Sequence, residues 1–203
     1  MLYQSVAKEM LSSKRYNHCV NVAKTAGRLA VKYGASREKA KISGILHDLT
    51  KEWTNFEHMK FITENNIPIT RYEIASKKLL HAITCSFYLQ IVLKIRDFDI
   101  INAVRFHTTA RKGMSMLEKV VFIADFISAE RNFNGVNKLR MLAERSMESV
   151  MPEALSFSIV ELVDEKKVIH PDTFEAYNEV IFENLERAKF LSGINNHPRK
   201  PKN

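Results

Sequence analysis

Apolar residues recur along the chain mainly at intervals of three and four, the period of a helix that buries one face. No alternating run bounded by turn residues marks a hairpin. The spacing predicts a long helix over Tyr16 to Tyr33, with Val22, Ala26, Leu29 and Ala30 inward and Gly34 as its stop. Ser36 then caps a second helix through Ala40, Ile45, Leu46 and Leu49. Thr54/Glu57, Thr70/Glu73, Ser115/Glu118 and Asp172/Glu175 have the spacing of a capping box, where each side chain takes an orphan backbone amide. The segments Asp99 to Thr109 and Gly135 to Arg145 are helical in period, and Met151-Pro152 opens a helix running to Asp164. The reading is all-α, a bundle of about eight to ten helices.

Some polar residues on these helices point the wrong way. His18 lies one turn before Val22, and Ala40, Gly44, His47 and Asp48 share one side of the second helix. His107 continues the stripe Ile100, Ala103, Val104, and Asp125 follows Leu117, Val121 and Ala124. His81, near Thr84, Cys85 and Tyr88, is a fifth inward candidate. A lone inward histidine is ordinarily a hydrogen-bonded core residue. Two aspartates and four histidines together would each need compensation for burial, and a bound cation supplies it for all of them. Imidazole plus carboxylate without thiolate suits iron, manganese, cobalt, zinc or a similar first-row ion, rather than calcium or a structural Cys-rich zinc site, and leaves the metal's identity open. Six ligands exceed the needs of one tetrahedral ion, so a pair of metals bridged by a carboxylate is preferred, and a single ion with His81 and His107 in outer roles is the alternative.

Composition narrows the setting. With 31 Lys+Arg against 23 Asp+Glu, a net charge of +8 and 45% hydrophobic residues, the chain can bury a core and attracts polyanions, which excludes disorder. No stretch approaches a membrane span, and no secretory signal opens the chain, so a cytoplasmic protein is expected. Cys19 and Cys85 then read as reduced, buried packing thiols. One domain is expected over residues 1–194, followed by a basic, disordered tail over 195–203 that contains His197, Arg199, Lys200 and Lys202.

The order His18, His47-Asp48, His81, His107, Asp125 resembles the HD-domain superfamily of metal-dependent phosphohydrolases. The words around it, Arg15-Tyr16-Asn17-His18, Gly44-Ile45-Leu46-His47-Asp48-Leu49-Thr50-Lys51, Arg105-Phe106-His107-Thr108-Thr109 and Ile123-Ala124-Asp125, are similar to the bacterial YqeK family. The match runs from about residue 10 to 180 and includes Ile169-His170-Pro171. The resemblance implies an all-helical diadenosine tetraphosphate hydrolase of the symmetrical type, giving two ADP at an iron-preferring site, with those six residues as metal ligands. The chain departs from the family pattern at Ser128-Ala129-Glu130 before Arg131, at Ala82 and at Ala110.

A metal lowers the pKa of its bound water, so hydroxide could attack phosphorus near neutrality, oriented by Asp48 as the bridging ligand. Lys51, nearly one turn beyond Asp48, is the expected second catalytic residue and a phosphate contact, while Arg111 and Arg131 are expected substrate clamps, with solvated helix-end residues as the bland reading of both. His58 and His197 are expected to be exposed, His170 to position the last helix, and Trp53 to anchor the core at the close of a helix.

Competing readings are another HD nucleotide phosphohydrolase (nucleotidase, dNTPase or alarmone hydrolase), a di-iron oxygenase on the same ligands, and a basic module binding RNA or a ribosomal partner. The last is disfavoured, since a structural site has little use for six polar ligands and an adjacent lysine. A nucleotide is the expected partner, nucleic acid and membrane are not, and a homodimer is left open.

Overall fold

The computed structural model describes residues 2–195, and among these it contains no strand. Eleven helices follow in order: α1 (Leu2–Met10), α2 (Ser13–Tyr33), α3 (Arg37–Leu46), α4 (Asn55–Glu64), α5 (Arg71–Ala75), α6 (Lys77–Ile91), α7 (Phe98–Arg105), α8 (Met116–Ile127), α9 (Val136–Arg145), α10 (Met147–Asp164) and α11 (Pro171–Asn195). None is long and apolar enough to cross a membrane. Residues 196–203, most of the expected basic tail, lie outside the described region.

The expected count falls short because α1 was not foreseen and because Ser76 breaks the Glu73 segment into α5 and α6. The caps at Thr54/Glu57, Thr70/Glu73 and Ser115/Glu118 form as expected. α2 begins at Ser13, three residues earlier than the pattern suggested, because the Ser12 hydroxyl accepts the Arg15 amide. The last helix opens differently from expectation. His170 precedes Pro171, and its Nδ1, not a side chain at Asp172, accepts the first free amide, that of Asp172, at 3.2 Å.

α10 starts at Met147, so Pro152 lies inside it rather than at its mouth. Proline has no amide to donate to the Glu148 carbonyl four residues back. Asn184 of α11 compensates, its Nδ2–H donating to that carbonyl at 3.0 Å.

α8 runs through the centre, with Val120, Val121, Phe122, Ile123 and Ala124 all buried, and packs against α2 and α10 in the largest apolar cluster. A second cluster joins α1, α3, α6 and α7 through Leu46, Leu49, Leu89 and Val104. α2 and α3 meet backbone to backbone: a Cβ on Gly44 would lie 2.7 Å from the Cα of Ala23. That approach is what brings the end of α3 against His18.

Candidate metal centre

Five segments converge on one buried cluster: α2, the turn after α3, α6, the turn after α7 and the last turns of α8. α3 ends at Leu46 and α7 at Arg105, so His47-Asp48 and His107 sit in tight turns beyond the helices expected to carry them. The turns matter because their free carbonyls become anchors. His47 Nδ1–H donates to Gly44 O at 2.8 Å and His107 Nδ1–H to Val104 O at 2.6 Å. His18 Nδ1–H donates to the Glu130 carboxylate. In all three histidines the Nε2 lone pair is thereby left facing inward, the tautomer a metal-ligating imidazole adopts.

The inward atoms are close together and poorly satisfied. His18 Nε2 lies 3.1 Å from Asp125 Oδ1 and 3.7 Å from Asp48 Oδ2, and His47 Nε2 lies 3.4 Å from Asp48 Oδ2. His81 Nε2 lies 3.2 Å from Asp48 Oδ1 and 3.1 Å from His107 Nε2. Nevertheless His18 Nε2, His47 Nε2 and Asp48 Oδ1 are buried with no hydrogen-bond partner. Two groups have the spacing to hold an ion: His18, His47 and Asp125, and His47, Asp48 and His107. Orphaned lone pairs from imidazole and carboxylate facing one point are what a first-row divalent cation requires, and the residues fit it.

The electrostatics agree. Burial alone would raise the Asp48 carboxyl, but the facing imidazoles of His47, His107 and His81 hold it well below the usual carboxylate range. Asp125 is likewise held low against its burial, by His18, His47 and Arg131. Burial pulls His81 down to about 3 and lowers His107, so both imidazoles are neutral, the form that can ligate a metal. Burial also lowers Lys51, whose Nζ lies 3.1 Å from His81 Nε2 and 3.9 Å from Asp48 Oδ1.

Of the expected clamps, Arg131 is at the site: its guanidinium donates to Asp125 Oδ1 at 2.5 Å and to the Asp125 carbonyl at 2.9 Å. Arg111 is not brought to it. Its guanidinium donates twice to the buried Glu118 carboxylate, at 2.7 and 2.8 Å, and so braces the start of α8. Arg15, to which the sequence pattern assigned no role of its own, donates to Asp48 Oδ2 at 2.9 Å. Glu130, read only as a departure from the family pattern, is held by Asn21 and Ser128 while it orients His18.

Two further expectations, at His58 and Trp53, are corrected. His58 is buried at 3% exposure, not exposed, because its ring donates from Nδ1 to Thr84 Oγ1 at 2.9 Å. Trp53 is half-buried in the connection before α4 rather than at the close of a helix, its ring tilted against His58 and edge-on to Phe61 and Tyr88. Cys19 and Cys85 are free and buried. Burial pushes the Cys85 thiol up to about 12 and Cys19 higher, so both are inert packing groups.

The HD-domain family model matches residues 15–130, which contain all six candidate ligands. The chain belongs to the HD-domain family. Within it the chain is of YqeK type. It is 34% identical over 88% of its length to a protein of Halalkalibacterium halodurans named symmetrical bis(5'-nucleosyl)-tetraphosphatase, of which it covers 95%. It is 34% identical, over 86% of this chain and 93% of the relative, to the Bacillus subtilis protein of the same name. A solved structure from Clostridium acetobutylicum, titled a predicted HD superfamily hydrolase involved in NAD metabolism, superposes with a TM-score of 0.85 at 33% identity, over 89% of this chain and 96% of that one.

This HD-domain centre opens on two clefts. One, of about 180 Å³, is lined by Lys51, His107 and Asp125 and continues to Leu162 and His170. The other, of about 350 Å³, is lined by Lys14, Arg15, His18, Arg131 and Phe133.

Proposed function

We propose that the protein is a divalent-metal-dependent hydrolase that cuts diadenosine tetraphosphate at its central anhydride, giving two ADP. The observation that carries the reading is the convergence of six imidazole and carboxylate groups between two clefts. A substrate with two identical nucleotide halves needs room on both sides of the cut, and the names of the 34%-identical relatives point the same way.

His18, His47, Asp48 and Asp125 would hold one ion. An imidazole nitrogen has a single lone pair, so His47 serves one ion only, and a second would draw on His81 and His107 with Asp48 shared between them. Iron is the preferred metal for this donor set, with manganese, cobalt and zinc as alternatives. A divalent cation here supplies Lewis acidity, acidifying water and neutralising phosphate charge.

The chain's own residues do the rest. Asp48 and Asp125 remain ionised as ligands because of the groups that hold their carboxyls low. Lys51, beside Asp48 and His81, meets the charge that develops on the equatorial phosphate oxygens and the leaving ADP. Water oxygen bonds to one central phosphorus, the bridging P–O bond breaks, and the departing ADP keeps its electron pair. Arg15 and Arg131 line the second mouth and attract the other half of the polyphosphate. Buried thiols and a nucleotide substrate both fit a cytoplasmic enzyme.

Chromatography of the products formed by anaerobically purified, iron-reconstituted protein tests the reading. ADP alone, abolished in Asp48→Ala, is the expected result; AMP with ATP would overturn the position of cleavage.

A further inference from the structure

The cleft beside Lys51 ends at a residue that the chemistry above does not use. His170 is only 9% exposed, and its Nε2 is buried without a hydrogen-bond partner. Its other nitrogen accepts the Asp172 amide, which fixes Nδ1 as the acceptor and leaves the proton on Nε2. The ring is also held in place. The His170 carbonyl accepts the Thr173 amide at 3.0 Å, Thr173 Oγ1 donates to the Thr109 carbonyl at 2.9 Å, and Tyr72 packs edge-on against the imidazole. His170 is thereby tied to the segment that carries His107. A rigid, buried donor left without an acceptor costs free energy that a ligand acceptor would recover.

We propose that His170 contacts substrate, its Nε2–H donating to a ribose hydroxyl of one nucleoside half. The inference rests on the nucleotide reading above and adds a specificity residue to it. The cleft has two ends of different character. Lys51 and His107 mark the phosphate end at the metal centre. At the His170 end, Glu73 Oε1 lies 3.9 Å from Nε2, beyond hydrogen-bond reach, and Glu161 lines the wall. A phosphate brings only acceptors and has nothing to donate to Glu161 or to the Glu73 carboxylate, which Arg105 already pairs. A hydroxyl can accept from Nε2–H and still donate to a carboxylate.

The test compares the binding of ADP and 2′,3′-dideoxy-ADP by calorimetry to metal-reconstituted protein, parent and His170→Asn. Asparagine keeps an acceptor near the Nδ1 position for the Asp172 amide but ends short of Nε2. The parent is expected to prefer ADP by about tenfold, the scale of one net hydrogen bond. His170→Asn loses that preference by weakening ADP alone, with an unchanged melting temperature and a raised KM at nearly constant kcat. Equal affinity of the parent for the two probes, which needs no variant, would overturn the proposal, as would a preference that survives in His170→Asn. Failure of the parent to bind either nucleotide would instead overturn the nucleotide reading beneath it.

Discussion

The carboxylate of Glu130, 112 residues further along the chain, accepts the Nδ1–H hydrogen bond of His18. Nothing else turns the His18 lone pair toward Asp48 and Asp125, and Asn21 and Ser128 exist at the site to hold that carboxylate. Groups that orient a ligating imidazole are worth about 10- to 100-fold in metal affinity. Glu130→Ala should therefore bind its metal about 10- to 100-fold more weakly, measured by competition with a chelator, while the fold is retained. Unchanged affinity would make Glu130 a surface residue.

Lys51 is argued to act on the substrate's charge and not on the metal. Lys51→Met should keep its metal content by elemental analysis and lose about 10²-fold in kcat, the scale of removing one preorganised electrostatic group. A variant that loses metal in proportion to activity would move Lys51 into the ligand support.

Gly44 serves both the fold and the site. A Cβ there would meet Ala23 backbone atoms at 2.7 and 2.8 Å, and its carbonyl anchors the His47 ring. Backbone cannot move aside as a flexible side chain can, so Gly44→Ala should cost about 2 kcal/mol in chemical denaturation and lower metal affinity with it.

His58 gives the folded state a pH dependence of its own. Burial lowers its pKa below the ordinary 6.5, so on acidification the unfolded chain takes up this proton first. Stability contributed by neutral His58 is complete above about 6.5 and is lost as pH falls through the lowered folded value. Thermal melting from neutral to mildly acidic pH should show a decline that is smaller in His58→Gln. An identical slope in both proteins would assign the effect elsewhere.

The candidate ligands were legible in the sequence because a helix period aims His18 and Asp125 inward, and because His47-Asp48 and His107 continue the inward stripes of α3 and α7 into the turns that follow them. Their supports were not, for three physical reasons. Glu130 lies beyond α8 in a connection without periodicity, and only the tertiary fold brings it to His18. His58 looked solvent-facing because a buried histidine is recognised by its partner, and Thr84 is on another helix. Pro152 reads as a helix start unless Asn184, on α11, is known to take the carbonyl it frees. His170 was rightly expected to position the last helix, yet the orphaned nitrogen on its other side is visible only in three dimensions.

On the proposed reading this centre splits the middle anhydride of diadenosine tetraphosphate by adding water to phosphorus. Mass spectrometry of the products of the metal-reconstituted protein in oxygen-18 water tests it most directly. One ADP of each pair should carry a single oxygen-18 on its terminal phosphate, with no AMP or ATP formed. Label appearing in AMP or ATP would contradict the account.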